Sequence, residues 1–184
     1  MMMCKFSVEY VFGSLDKALA AELFDFWNLN QASYQAELKS FRSHGDLSEI
    51  EPLLSKQKVL KRQPGAIARN QEGSIVGVVF VVLRELEAHL NLGSHAYFQR
   101  MYVLPQARSS RLANQLYKKF LEGFISSVQL RDHRASTLMT ENINPGLQEG
   151  FMRRYFARLG FKMLGSNVLG GEVWLLKLQT QFIF

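Results

Sequence analysis

Residues 101–124 read MYVLPQARSSRLANQLYKKFLEGF, and their order determines what chemistry the chain can offer. An apolar strand end, Met101-Tyr102-Val103, runs into a turn led by Pro105. A bend rich in serine and arginine follows, and then an amphipathic helix. Such a junction leaves the first helical N–H groups unpaired and aims the helix dipole at one point. Arg108 and Arg111 add positive charge there, so the junction is an anion site, and the ligand most simply implied is a phosphate or pyrophosphate.

The flanking segments must position that junction. Residues 5–12 alternate Phe6, Val8, Tyr10 and Phe12 and predict a half-buried strand. Gly13-Ser14-Leu15-Asp16 offers a turn with Ser14 as the expected N-cap. Helices are expected over 15–27 and 31–42, with a break at His44-Gly45-Asp46 and a further short helix over 47–60. Pro64-Gly65 punctuates the chain, and 66–69 reads as a short strand with a turn at 71–74. Residues 75–83 are almost wholly apolar, the pattern of a central strand buried on both faces. The strand over 97–104 should pair antiparallel with it, because the connector is short. The helix over 111–126 stacks Leu112, Leu116, Phe120 and Phe124 on one stripe. A strand over 134–140, a loop over 142–146, a helix over 147–159 ending at Gly160, and strands over 161–168 and 172–178 complete the chain. The order β-α-α-β-β-β-α-β-α-β-β predicts an α+β fold: one mixed, mostly antiparallel sheet with helices on both faces.

The 184 residues suit a single domain, 1–184, and their 47% hydrophobic content is enough for a real core rather than a disordered chain. No apolar run approaches the roughly 20 residues of a membrane span, and the start has no signal-peptide pattern. Cys4 is the single cysteine, which rules out an intramolecular disulfide and makes a reducing compartment, the cytoplasm, the default expectation. The net charge is +6, with Lys56-Gln57-Lys58 and Lys61-Arg62 reading as a solvated segment. The four histidines and one cysteine have no metal-ligand spacing, so no metal is expected. Nothing reads as a recognition helix or stacking motif for nucleic acid.

Arg108-Ser109-Ser110-Arg111-Leu112-Ala113 resembles the acyl-CoA pyrophosphate loop of the GNAT N-acetyltransferase superfamily, written Q/R-x-x-G-x-G/A. Arg108 and Ala113 fill its first and last positions, the Val103-x-Pro105 lead-in is typical, and Arg111 stands where glycine is usual. The hairpin at 66–77 and Tyr155-Phe156-Ala157-Arg158-Leu159-Gly160-Phe161, similar to the family's LYEKLGF helix end, extend the resemblance over 64–178. It implies acetyl-CoA as donor and a primary amine, on a small molecule or a protein, as acceptor. It further implies that main-chain N–H groups of Ser109, Ser110, Arg111, Leu112 and Ala113 hold the pyrophosphate. Met101, Tyr102 and Val103 would pair with the pantetheine arm as an extra strand, with the Val103 N–H as oxyanion donor. Asn142 or Asn144 would contact CoA.

Acyl transfer also needs a deprotonated amine and a departing thiolate. Phe156 occupies the place of the family's usual tyrosine, and Tyr155 beside it is rotated by about 100° on the helix. Leaving-group protonation is therefore expected to be water-mediated or unneeded, with Tyr155 the candidate acid. Gln99 and Arg100 stand where a carboxylate is often found, which leaves His95 and Glu141 as candidate bases. Two alternatives stay open. Gln99-Arg100-Met101-Tyr102-Val103 also resembles the S-R-L-x-V strand of synthases that take long acyl chains from acyl carrier protein, an acidic partner that a basic surface would suit. Loss of the usual tyrosine and carboxylate also fits a non-catalytic CoA-binding module. Phe24, Trp27, Tyr34 and Phe41 suit either an acceptor pocket or the core, and the chain reads equally as monomer or homodimer.

Overall fold

The computed structural model describes residues 5–41, 59–166 and 170–179. The expected break at 44–46, the expected helix up to residue 58, the Lys56–Lys58 run, Cys4 and the tail from 180 lie outside the described residues. Within them the order is β1 (Ser7–Tyr10), α1 (Lys17–Phe41), β2 (Val59–Arg69), β3 (Ile75–Glu85), β4 (His95–Val103), α2 (Ser110–Ser126), β5 (Ala135–Asn142), α3 (Gly150–Arg158), β6 (Lys162–Ser166) and β7 (Glu172–Lys177). The strands form one sheet in the order β1-β2-β3-β4-β5-β7-β6. Every neighbouring pair is antiparallel except β4 and β5, which run parallel. Parallel neighbours need a crossover, and α2 supplies it. The α+β architecture expected from the sequence is the one observed.

Apolar periodicity decides which face each helix covers. α1 packs Leu19, Leu23 and Phe26 against Ile67, Val78 and Tyr102 on one face. α2 buries Leu112, Leu116, Phe120 and Phe124 against the other, and Phe156 of α3 joins the same core. The Phe156 ring lies 5.7 Å from Trp174 and 5.9 Å from Phe161, so this residue is a packing element. β3 is buried on both faces, as its unbroken apolar run predicts. Among the described residues no helix is long and apolar enough to cross a membrane.

Several boundaries differ from the sequence reading, each for a local reason. The two helices expected over 15–42 are one, because Asn28-Leu29-Asn30 contains no breaker and Asn30 satisfies itself by donating to the Phe26 carbonyl at 2.7 Å. The N-cap of α1 is Asp16, not Ser14: its Oδ1 accepts from the Leu19 N–H at 2.8 Å. Pro64-Gly65 does not end a strand but forms a bulge inside the longer β2, where the register shifts between Pro64 and Ala66. The freed Gly65 carbonyl accepts from the N–H groups of Val11 and Phe12 instead. β5 runs on through Asn142, so this residue ends a strand rather than opening a loop. Pro145–Gln148 is a 3-10 turn, and α3 starts only at Gly150.

Gly65 also makes room for α2 on the sheet: a Cβ there would lie 2.6 Å from the Phe120 ring and 3.0 Å from Val81. Gly→Ala normally stabilises by about 0.4–1 kcal/mol through the unfolded chain. Overpacking against a fully buried ring costs about 1–3 kcal/mol and wins. Gly65→Ala should therefore lower the urea midpoint; a raised midpoint would show that Phe120 yields freely.

Candidate functional site

The β4–β5 ladder is short. Its last paired residues are Gln99 and Thr140, although β4 continues to Val103 and β5 to Asn142. Beyond that point the two strands part. The Leu104 N–H donates to Val76 on the β3 side at 2.8 Å. Because main-chain groups alternate along a strand, Val103 and Met101 then direct theirs into the gap. Their N–H groups donate to nothing among the described residues. The gap opens into a cleft of about 920 Å³, near the upper end of the roughly 300–1,000 Å³ typical of ligand pockets.

The N-terminus of α2 sits at one end of this cleft. Ser109 is its N-cap, in extended conformation, and the Ser109 Oγ accepts from the Leu112 N–H at 3.1 Å. The Ser110 and Arg111 N–H groups keep no partner among the described residues, which leaves donors and the dipole facing outward. The Arg111 side chain is exposed, lines the cleft and makes no hydrogen bond or ion pair among the described residues. Arg108 is committed elsewhere. Its Nε donates to the Val103 carbonyl at 2.9 Å, and its terminal nitrogen meets the Glu37 carboxylate of α1 at 2.6 Å. It therefore ties the end of β4 to α1.

The apex of the cleft is polar and buried. Gln99 Nε2 donates to the Tyr117 hydroxyl at 3.0 Å, and both side chains are buried. Burial pushes the Tyr117 hydroxyl far above its ordinary value, so it stays protonated as a neutral donor. Across the gap, Thr140 Oγ1 donates to Asn142 Oδ1 at 3.2 Å. Asn142 is 2% exposed, and its Nδ2 has no partner among the described residues. An orphaned buried donor costs about 1–3 kcal/mol, so a ligand carbonyl in the cleft would satisfy a real deficit. On α3 the Tyr155 hydroxyl donates to Asn114 Oδ1 of α2 at 2.8 Å, and burial raises its pKa.

The cleft is lined by Met101, Tyr102, Val103, Arg108, Ser109, Ser110, Arg111, Ala113, Glu141, Asn142, Asn144 and Tyr155, nearly all the residues singled out from the sequence. Asn144 spends its Oδ1 locally, accepting from the Gly146 N–H. Leu112 does not line it: the side chain is core and the N–H is capped. His95 needs outright correction as a candidate base. It begins β4, pairs with Ala135 and bonds Ser94, eight residues or about 26 Å along the strand from Val103. Glu141 lies on the α1 face and pairs with Arg84 at 3.8 Å. Trp27 and Tyr34 pack against Phe80 and Tyr102, Tyr34 and Phe41 reach the cleft, and Phe24 faces solvent. Sequence reasoning passed over Asn114, Tyr117 and Thr140. The signal for the first two is a polar pair at i, i+3 on α2 beside its apolar stripe.

No protein-family model and no curated relative matches the chain. Solved structures do. An agmatine N-acetyltransferase in its apo form is 14% identical with a TM-score of 0.49, over 94% of this chain and 99% of that one. The GNAT-family N-acetyltransferase YhbS from Escherichia coli, in complex with CoA, is 11% identical with a TM-score of 0.46, over 97% of this chain and 84% of that one. A GNAT-superfamily phosphinothricin acetyltransferase from Sinorhizobium meliloti, with AcCoA, is 12% identical with a TM-score of 0.44; the match spans 62% of this chain and only 61% of that enzyme.

The buried apex gives a stability prediction independent of any ligand. Tyr117→Phe removes the acceptor of the Gln99 amide and should destabilise the fold by about 1–3 kcal/mol in urea titration. Unchanged stability would show that Gln99 finds another partner.

Proposed function

We propose that this protein is an acyl-CoA-dependent N-acetyltransferase of the GNAT kind, passing an acetyl group from acetyl-CoA directly to a primary amine. One observation carries the reading: β4 and β5 part beyond Gln99 and Thr140, and the cleft between them ends at the uncapped N–H groups of Ser110 and Arg111. An elongated ligand with amide groups in its arm and a diphosphate at its end matches that set of donors and acceptors.

The residues fit such a donor. The unpaired Val103 N–H, whose own carbonyl is already taken by Arg108, can bond a pantetheine amide as a missing strand would. Asn142 Nδ2, buried and orphaned, adds a side-chain donor. The Ser110 and Arg111 amides receive the diphosphate, and the free Arg111 guanidinium adds charge at the mouth. Arg108 shapes the loop, since its fork already serves Val103 and Glu37.

Acetyl-CoA supplies a thioester whose carbonyl is open to attack by a neutral amine. The Met101 N–H, the first to face the gap beyond the last β4–β5 pair, lies nearer the fork than the Val103 N–H and offers an oxyanion donor that needs no rearrangement. Glu141 holds a carboxylate on the cleft wall, on the face opposite α2, where it takes the proton that an ammonium must lose. As the new C–N bond forms and the C–S bond breaks, the amine's second proton ends on sulfur, so no external acid is consumed. Tyr155, kept neutral by burial, then turns its hydroxyl proton from Asn114 Oδ1 to the departing sulfur as a hydrogen bond. Tyr117 stays a fixed part of the apex.

Acetyl-CoA at 100 times its Kd should raise the unfolding free energy by about 2.7 kcal/mol, read as a thermal shift, and an amine panel should release free thiol. Tyr155→Phe should lower kcat about tenfold, less than the hundredfold or more expected on losing an obligate acid. A larger loss would make Tyr155 that acid. Tight CoA binding without thiol release from any amine would leave only a binding module.

A further inference from the structure

Resting on the transferase reading, we infer that the acceptor is an amine that also carries a carboxylate, a free α-amino acid, and that Arg100 reads the carboxylate. Arg100 and Glu141 are the residues immediately beyond the last β4–β5 pair, Gln99 and Thr140. Alternation puts Arg100 on the same face as Phe98 and Tyr102, and Glu141 on that of Met139, the α1 face of the sheet. Both line the cleft. A cation and a carboxylate thus flank the fork where the strands diverge, on the side away from α2.

Arg100, like Arg111 at the α2 end of the cleft, differs from the arginines that a carboxylate holds. Arg69 is held by Glu22, Arg108 by Glu37, Arg134 by Asp132 and Arg153 by Glu172. Arg84 pairs with Glu141 and lies 4.5 Å over the Phe98 ring. Arg100 is half-buried, and its side chain makes no hydrogen bond or ion pair among the described residues. It also crowds its neighbours: burial lowers the Arg84 pKa, Glu141 opposes this, and Arg100 and Arg62 add to the lowering. Arg100 and Arg62 thus add positive charge around the Arg84–Glu141 pair, and an arriving anion offsets it. A guanidinium fork recognises a carboxylate with two parallel hydrogen bonds.

The two ends of an amino acid then sort themselves. Its ammonium faces Glu141, which takes the proton, and its carboxylate faces Arg100. Amine and carboxylate share one carbon, so seating the carboxylate on Arg100 holds the nitrogen at the fork, beside the thioester. Tyr34 and Tyr102, with ring centroids 5.2 Å apart, form an aromatic wall along the same side and suit an apolar side chain on the acceptor. A polyamine would bring a second cation to Arg100 and be rejected.

The test compares L-phenylalanine, L-phenylalaninamide and putrescine as acceptors, by thiol release and by calorimetric binding to the CoA-loaded protein. L-Phenylalanine should exceed its amide by roughly tenfold to a hundredfold in kcat/KM, the scale of a lost charged hydrogen bond, with putrescine weakest. Arg100→Gln should erase the acid-over-amide preference and leave CoA affinity unchanged. Arg100→Lys, which keeps the charge and loses the fork, should restore only part of it. If CoA binds normally but amide and acid are used alike, or if Arg100→Gln slows both equally, the acceptor assignment is overturned and the transferase reading stands. If CoA does not bind at all, both fall.

Discussion

The functional geometry depends on one interruption in a hydrogen-bond ladder. β4 and β5 are parallel neighbours, joined by α2, and they stay bonded only as far as Gln99 and Thr140. A sheet that pairs fully has no room for a ligand between its strands. A sheet that parts at its centre exposes main-chain groups that folding has not satisfied, and a ligand with amide groups can complete the ladder. Rigidity on either side keeps the gap open: β3 backs β4 along its whole length, and β7 backs β5 through Asn142.

The floor and rim of the gap divide the chemical work. At the apex, Gln99 with Tyr117 and Thr140 with Asn142 close two buried hydrogen bonds and leave the Asn142 Nδ2 in search of an acceptor. At one rim, the start of α2 offers amides and positive potential. At the other face, Arg100 and Glu141 present opposite charges to whatever approaches from the α1 side. The Arg108–Glu37 pair, only partly exposed, links α1 to the end of β4 and so ties the α1 face to the start of α2.

Much of the fold was legible because most helix and strand signals were local. The apolar run of β3, the stripe of α2 and the stop at Gly160 (φ 92°) each follow from residues a few places apart. The misreadings came where distant contacts override local ones. Pro64-Gly65 looks like a break until Phe120 and the N–H groups of Val11 and Phe12 claim the space and the carbonyl around Gly65. The bend into α2 and its start beside Ser109 were legible from their own six residues. The buried apex was not, because Gln99, Tyr117, Thr140 and Asn142 meet only once two strands and a helix are assembled. His95 failed as a base for the complementary reason: its intrinsic chemistry suits the role, but its register on β4 puts it at the wrong end.

Hydrogen exchange at the Met101 and Val103 amides tests the central claim most directly. With CoA added in excess, both amides should become markedly more protected, while the already bonded amide of Leu104 changes little. If Met101 and Val103 exchange at the same rate with and without CoA, the parting of β4 and β5 is not the donor seat and the account fails.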